Sequence, residues 1–172
     1  MMQHDTAPNG RILLVEDDAT FRSFLLTILE DEGYEVRIAG DGREGLRLLG
    51  AESFDLVISD LKMPGKSGLD LFRETRQDPS APPFIFLTAY GTVDEAVSAM
   101  KDGAVDFLTK PLVAPEALLV LVDRALANQG LARTLRSLKE ASAAGLPSDE
   151  LIFAGQSMNG VRKLVLDVAG TT

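Results

Sequence analysis

Five short apolar segments recur along the chain, and a stretch of helical length follows each one. They span residues 11–15, 34–39, 54–59, 84–88 and 106–109. Runs such as Leu56-Val57-Ile58 are apolar at every position, whereas a strand with one solvent-facing side alternates. Strands of this kind need helices on both faces of their sheet. The pattern therefore predicts an α/β protein with a doubly wound, five-stranded parallel sheet.

The intervening stretches carry apolar residues at helical spacing. The first two stripes are Phe21, Leu25, Ile28, Leu29 and Val93, Ala96, Val97, Met100, and a later one is Leu118, Leu119, Val122, Leu126. Helix start signals precede several of them. Ser67 with Asp70, Thr92 with Glu95 and Asp41 with Glu44 have capping-box spacing, and Pro115 suits a first helical position.

Composition narrows the function classes. Cysteine is absent, so disulfides and thiolate metal sites are excluded, and the one histidine, His4, lies near the N-terminus, where we interpret it as a bystander. The net charge of −9 argues against nucleic-acid binding by this chain. Neither an apolar signal core nor a membrane-length apolar stretch is present, so we expect a cytoplasmic protein that does not engage a membrane.

Acidic residues stand at the ends of two candidate strands. Glu16 and Asp17 follow residues 11–15, and Asp60 follows residues 54–59. In a doubly wound sheet, ligands bind beyond the carboxyl ends of the strands, so these carboxylates are expected to meet if the first and third strands are neighbours. Their mutual repulsion favours a divalent cation, and oxygen ligands suit Mg²⁺. One carboxylate then becomes a usable nucleophile toward a phosphoryl group.

Two further strand ends offer groups that position a phosphoryl group. Thr88 supplies a hydroxyl and Lys110 an ammonium. Taken singly, each residue has a structural alternative: Asp17 or Asp18 caps the first helix, Thr88 satisfies a strand end, and Lys110 is solvated.

Four strings, in this order and at this spacing, resemble the receiver domain of two-component response regulators over roughly residues 10–127. They are Ile12-Leu13-Leu14-Val15-Glu16-Asp17-Asp18, Asp60-Leu61-Lys62-Met63-Pro64-Gly65 with Gly68, Leu87-Thr88-Ala89, and Gly103-Ala104-Val105-Asp106-Phe107-Leu108-Thr109-Lys110-Pro111. The resemblance implies a flavodoxin-like strand order, 2-1-3-4-5. It also implies that Asp60 accepts a phosphoryl group from a sensor histidine kinase.

The resemblance assigns the site residues as well. Asp17 and Asp60 would ligate Mg²⁺ directly, Glu16 through water and Lys62 through its carbonyl, which leaves Asp18 to cap the first helix. Glu16 departs from the commoner Asp at its position but keeps the charge.

Further roles implied by the resemblance concern the switch. Lys110 would bind a phosphoryl oxygen and precede a cis peptide bond to Pro111, while Thr88 and Phe107 would move on phosphorylation, although Phe107 also suits a core position. Lys62 and Tyr90 occupy the two positions that tune hydrolysis of the phosphoaspartate. Because both are long or bulky, we predict that they obstruct the attacking water.

Beyond the receiver, the sequence predicts a linker helix and hinge over residues 128–148. Leu131, Leu135 and Leu138 are spaced by four and three residues, which fits a dimerising coiled coil or a helix lying on its own domain. The string Ile152-Phe153-Ala154-Gly155-Gln156-Ser157-Met158, followed by Val161, Val165 and Val168-Ala169, resembles the opening of the ATPase domain of sigma-54-dependent activators of the nitrogen-regulator type. We therefore expect a truncated AAA+ domain over residues 149–172. Residues 1–9 are expected to be flexible.

The expected partners are a sensor histidine kinase and a second copy of this chain, which would dimerise through helix four, strand five and helix five, through the linker helix, or both. No phosphate-cradling ATPase loop occurs, so the chain is expected to catalyse only its own phosphorylation and dephosphorylation. The rival interpretations are an interaction-only pseudo-receiver, a flavodoxin-like redox module and a metal-dependent phosphatase. Loss of an active-site residue, a phosphate-binding first loop or an added general acid would distinguish them.

Overall fold

A computed structural model describes residues 8–89 and 93–143, and strands and helices alternate along them. The strands are β1 (Arg11–Val15), β2 (Glu35–Ala39), β3 (Leu56–Asp60), β4 (Phe84–Thr88) and β5 (Asp106–Thr109). The helices are α1 (Ala19–Asp31), α2 (Gly42–Ala51), α3 (Gly68–Thr75), α4 (Val93–Lys101) and α5 (Pro115–Ala143). All strand pairs are parallel, and the order is β2-β1-β3-β4-β5, which confirms the predicted fold class.

Two hydrophobic clusters cover the two faces of the sheet. Alternate residues of β1 belong to different clusters: Leu13 and Val15 pack with α2, α3 and α4, whereas Ile12 and Leu14 pack with α1 and α5. All four side chains are fully buried. Helices therefore cover both faces of the sheet, as the strands that are apolar at every position predicted.

Two predicted strand starts were wrong. Tyr34 precedes β2 because its backbone amide donates to the Leu29 carbonyl and closes the end of α1, at 3.1 Å. Phe54 and Asp55 precede β3, and the Asp55 carboxylate accepts the Arg11 amide at 2.9 Å. In both places a turn or a side chain takes up hydrogen bonds that the ladder would otherwise make.

Several predicted helix starts are confirmed. Ser67 and Asp70 form a complete capping box at α3, Asp41 caps α2, and Pro115 is the first residue of α5. Thr92 lies outside the described residues. The Ser67 hydroxyl lowers the pKa of the Asp70 carboxyl, as do the Ser67 backbone amide and the nearby charges of Arg73 and Lys66. These caps set where α2 and α3 begin, and α3 begins directly behind the end of β3.

The chain divides into two compact units, Met1–Gln129 and Gly130–Thr172. The sheet lies in the first. Of the second, the structure describes residues 130–143, which belong to α5 and expose the Leu131 and Leu135 side chains. The predicted segment 149–172 and most of residues 1–9 lie outside the described residues. Among the helices that are described, we find none with the length and apolar character that a transmembrane span requires.

Candidate functional site

Four strands deliver polar side chains to one edge of the sheet. Glu16 follows β1 and Lys110 follows β5, whereas Asp60 and Thr88 are the last residues of β3 and β4. The sequence placed Asp60 after its strand, but it pairs with Leu87 in the parallel ladder. This pairing fixes the backbone of Asp60, so the Asp60 side chain projects from a rigid strand.

Three carboxylates meet at this edge. Glu16, Asp17 and Asp60 each offer an oxygen, and these oxygens lie within 4.8 Å of one another. Glu16 is fully buried, Asp60 is only 9% exposed, and Asp17 is exposed to solvent. Burial raises the pKa of the Glu16 carboxyl, and the Lys110 ammonium opposes that rise. Grouped oxygen donors of this kind are the ligands that Mg²⁺ prefers, so the residues fit the predicted cation.

The Lys110 ammonium bridges two of these carboxylates. Its Nζ lies 2.7 Å from Glu16 Oε2 and 2.5 Å from Asp60 Oδ2. Burial acts to lower the pKa of Lys110, but hydrogen bonds to Asp60 and Glu16 outweigh it and the pKa is raised. Three carboxylates and one ammonium leave two formal negative charges, which matches the charge of a divalent cation. The alternative in which Lys110 is only solvated is therefore wrong. The peptide bond between Lys110 and Pro111 is cis, as the family resemblance implied.

Backbone amides and one arginine hold the acidic loops in place. The Asp18 amide donates to Glu16 Oε1 at 3.2 Å, and the Lys62 amide donates to Asp60 Oδ1 at 3.0 Å. The Arg22 guanidinium donates to the Glu16 carbonyl at 2.5 Å. Asp18 caps α1 by accepting from the amides of Thr20 and Phe21, as the family resemblance implied. The cap leaves the Asp17 carboxylate free to serve the cation cluster.

The first residue of α3 lies against the backbone of Asp60. A β-carbon on Gly68 would lie 1.9 Å from the Asp60 carbonyl oxygen and 2.5 Å from Ser59 Oγ. The Ser59 hydroxyl donates to that same carbonyl at 2.9 Å. Only glycine permits this approach of α3 to the Asp60 backbone, which explains why glycine occupies position 68.

The predicted switch residues are near the site but outside the cation cluster. Thr88 is fully buried, and its hydroxyl donates to the Ala89 carbonyl at 3.1 Å. Phe107 is half-buried and packs against the cluster on the α2, α3 and α4 face. Tyr90 lies outside the described residues. The Lys62 side chain turns toward α4, where its Nζ lies 2.7 Å from Glu95 Oε1.

Sequence reasoning missed two contacts of the site. Phe21 entered only as one member of an apolar stripe, yet the Lys110 ammonium lies over its ring at 4.8 Å from the centroid. Glu95 entered only as part of a capping signal, yet it pairs with Lys62. The place of Phe21 in the first turn of α1, four residues beyond Asp17, was the available signal.

Together, the strand order and this edge define a class of protein: a flavodoxin-like α/β domain in which grouped carboxylates and a lysine meet at the carboxyl edge of the sheet. The family comparison agrees, because the model of the response regulator receiver domain matches residues 12–123. The chain belongs to the response regulator receiver family. Receiver domains are signalling domains of two-component systems.

Named relatives include transcriptional regulators. The transcriptional regulatory protein GlrR of Escherichia coli (strain K12) is 44% identical over 73% of this chain and 27% of its own length. The C4-dicarboxylate transport transcriptional regulatory protein DctD of Rhizobium meliloti (strain 1021) is 36% identical over 93% of this chain and 35% of its own length. The chain thus spans about a quarter to a third of these relatives.

Solved structures agree with the fold. A response regulator receiver domain protein from Clostridium thermocellum matches with a TM-score of 0.67 and 36% identity, over 71% of this chain and 98% of that one. NtrX from Brucella abortus matches with a TM-score of 0.69 and 31% identity, over 94% of this chain and 34% of that one.

Proposed function

We propose that this chain is a phosphorylation-dependent switch in which Asp60 accepts a phosphoryl group from a sensor histidine kinase. The observation that carries the proposal is the Lys110 ammonium, 2.5 Å from Asp60 Oδ2 within a cluster of carboxylates. Phosphoryl transfer needs positioning and charge stabilisation more than covalent help from the protein, and this cluster offers both.

In the proposed transfer, an Asp60 carboxylate oxygen forms the new P–O bond as the P–N bond of the kinase phosphohistidine breaks. The imidazole leaves with that bond's electron pair. The Lys62 amide holds Asp60 Oδ1 and Lys110 holds Oδ2, so the carboxylate is oriented before the donor arrives. Lys110 then remains available to a phosphoryl oxygen.

Mg²⁺ is the proposed cofactor, and when bound it supplies positive charge to the phosphoryl oxygens. Asp17 and Asp60 would hold it directly, Glu16 through water and the Lys62 carbonyl as the remaining protein ligand. Full burial of Glu16 favours a neighbouring cation, because an ionised carboxylate without one is costly there.

The proposed output is a shift in the surface formed by α4, β5 and α5, driven by Thr88 and Phe107. Thr88 ends the strand beside Asp60, and Phe107 lies on β5 next to Phe86. Apolar side chains on this surface support a role in dimerisation, since Val97 and Val120 are 41% and 64% exposed. Leu131 and Leu135, also exposed, support the linker helix as a second dimer contact.

At the level of the whole protein, we propose a receiver over residues 10–127, a linker over 128–148 and the start of an AAA+ domain over 149–172. The switch would control the ATPase of a sigma-54 activator in the cytoplasm. Names of transcriptional regulators among the relatives support this assignment. The chain itself would catalyse only its own phosphorylation and dephosphorylation.

The rival interpretations fit the site less well. A pseudo-receiver lacks at least one of Asp17, Asp60, Thr88 and Lys110, and all four are present. A flavin phosphate would meet Glu16, Asp17 and Asp18 in the first loop and be repelled. In a phosphatase, a general acid beside the nucleophile is needed, and the position two residues on is Lys62, whose ammonium pairs with Glu95.

The first test treats wild type and Asp60→Asn with beryllofluoride and Mg²⁺ and measures oligomeric mass together with binding. We expect Mg²⁺-dependent binding and a change in assembly for wild type, and neither for Asp60→Asn, because the substitution removes the acceptor oxygen. Asp31→Asn, which alters an exposed carboxylate at the last residue of α1, serves as the matched control and should behave as wild type. If wild type shows neither response, the switch model fails.

Replacement of Lys62 by alanine tests the tuning of hydrolysis. Its side chain begins two residues beyond Asp60 and extends to Glu95 on α4, and we propose that it obstructs the attacking water. We expect Lys62→Ala to shorten the phosphoaspartate lifetime by about threefold to tenfold, since the attacking water gains access. Lifetimes follow from the loss of the phosphorylated species on phosphate-affinity gels. A wild-type lifetime of seconds, or no change in the variant, contradicts the proposal.

A further inference from the structure

Three groups surround the Lys110 ammonium, and they are not chemically equivalent. Glu16 Oε2 and Asp60 Oδ2 are carboxylate oxygens at 2.7 and 2.5 Å. The third group is the face of the Phe21 ring, whose centroid lies 4.8 Å from Nζ. An ammonium over an aromatic face is attracted by the ring's negative quadrupole.

The two carboxylates also belong to the oxygen cluster that fits a divalent cation. When a cation shares these oxygens, their attraction for Lys110 weakens, because the same negative charge then serves two positive partners. The Phe21 ring offers no ligand oxygen. Of these three contacts, it is the one that a bound cation leaves unchanged.

Phe21 is held firmly enough to act in this way. Its amide donates to Asp18 Oδ1 at 2.9 Å, which ties it to the loop that carries Glu16 and Asp17. Its ring stacks on Phe24 with centroids 6.1 Å apart and an interplanar angle of 29°, and it packs against the core on the α1 and α5 face. Phe24 itself is 43% exposed, so the pair extends from the core to the surface beside the crevice.

We propose that Phe21 is a positioning residue whose ring face keeps the Lys110 ammonium at Asp60 while Glu16 and Asp60 are engaged by the cation. The inference rests on the proposed phosphoacceptor role of Asp60. It assigns to α1 a part in the reaction in addition to its packing. Without the aromatic face, Lys110 would be free to leave the crevice once the cation is bound, and transfer would slow.

The first experiment follows the ε-methylene protons of Lys110 by NMR, with and without saturating Mg²⁺. A methylene group near the face of a ring is shielded, so upfield signals are expected for wild type in both conditions. In Phe21→Leu they should move to ordinary lysine positions. If the wild-type signals move there when Mg²⁺ is added, the proposal is wrong. No phosphoryl transfer enters this measurement, so it stands apart from the proposed function.

The second experiment measures phosphorylation by acetyl phosphate at saturating Mg²⁺. Phe21→Leu is expected to react about threefold to tenfold more slowly, in line with the strength of a partly desolvated cation–π contact. Phe21→Tyr and Phe21→Trp should recover most of the rate, because they restore the ring face. Leu26→Ala is the matched control and should react at the wild-type rate, since it removes a partly buried α1 side chain from the same core cluster and leaves both rings in place.

The Mg²⁺ affinity of Phe21→Leu distinguishes a loss of Lys110 positioning from a collapse of the whole site. It should be unchanged or higher in Phe21→Leu, because the ring donates no ligand and a less firmly held ammonium competes less with the cation for the carboxylates. Equal rates for Phe21→Leu and wild type would overturn the proposal, and so would slow rates in all three Phe21 variants, which indicate packing alone. If wild type itself takes up no label at Asp60, the proposed function fails, whatever the NMR result.

Discussion

Gly68→Ala is expected to lower the free energy of unfolding by about 3 kcal/mol, at the upper end of the range for overpacked sites. The added methyl carbon would lie 1.9 Å from the Asp60 carbonyl oxygen, a backbone atom that cannot rotate away. Either the start of α3 or the end of β3 must therefore move. Since Asp60 is paired to β4 through its backbone, movement of α3 and its capped first turn is the less costly response.

The same substitution should also slow phosphorylation, because the acceptor loop connects Asp60 to Gly68. Displacement of α3 would disturb the Lys62 amide, which holds Asp60 Oδ1 at 3.0 Å. Positioning contributes much of the rate in phosphoryl transfer, so a displacement of roughly 1 Å would reduce the rate by about a hundredfold. Urea unfolding and acetyl phosphate labelling measure the two effects.

Gly50→Ala is the matched control for this prediction. Gly50 lies in α2, and a β-carbon there would meet no atom within 4 Å. Alanine should stabilise that helix by about 0.5–1 kcal/mol, because glycine loses more backbone entropy on folding. If Gly68→Ala is as stable as wild type, the prediction is wrong, because the close approach to Asp60 is then relieved without cost.

Lys110→Met is expected to destabilise the protein by about 2 kcal/mol at neutral pH without Mg²⁺. Removing one partner of a buried ion pair costs about 3–5 kcal/mol, but Lys110 keeps 22% of its side chain exposed and Asp17 is solvated, so solvent screening reduces the effect. Glu16, fully buried, would then face Asp60 with no ammonium between them.

Addition of Mg²⁺ should stabilise Lys110→Met more than it stabilises wild type. A ligand that binds only the folded state stabilises it by mass action, and the variant offers its carboxylates without a competing ammonium. Lys62→Met, which removes a half-exposed lysine paired with Glu95, should change stability by less than about 1 kcal/mol and leave the Mg²⁺ effect unaltered. Thermal unfolding with and without Mg²⁺ gives both quantities. An equal Mg²⁺ effect in wild type and Lys110→Met would contradict the prediction.

The pH dependence of this stability difference has two parts. Burial in the folded state raises the pKa of Glu16 above its ordinary 4.5. The unfolded state therefore loses this proton first, and stability falls as the pH rises from 4.5 to the folded pKa. Loss of Lys110 enlarges this cost, and the difference between wild type and Lys110→Met should open above pH 4.5. The pKa of Lys110 is raised above 10.5, so its contribution is complete below that pH and disappears as pH rises through the folded value. The difference should therefore close again in strong alkali.

Much of the site followed from local sequence because strand ends and helix starts are local features. Apolar runs placed β1, β4 and β5 at their observed bounds, whereas local pattern left Asp17 and Asp18 both open as the cap of α1 and the family resemblance assigned Asp18. The acidic residues, Thr88 and Lys110 were placed at one edge because parallel strands share a direction. Where a turn or a side chain takes up hydrogen bonds of the ladder, as at Tyr34 and Asp55, the pattern of apolar residues placed the strand start too early.

Distances between side chains from different strands were beyond the reach of the sequence. The position of Lys110 between Glu16 and Asp60 depends on the packing of β1, β3 and β5 in one sheet. Contact between Phe21 and Lys110 joins residues far apart in sequence, and a stripe of apolar residues predicts only that a ring faces the core. Lys62 and Glu95 likewise meet only because α4 packs beside the acceptor loop.

The sequence by itself determined the order of elements, the fold class and the residue types at the carboxyl edge, since periodicity and capping act over a few residues. Tertiary structure alone decided which charges touch. It placed the Lys110 ammonium between two carboxylates and over an aromatic ring, and set Gly68 against the Asp60 carbonyl. The physical reason is range: burial and ion pairing depend on atoms that the folded sheet brings together from distant parts of the chain.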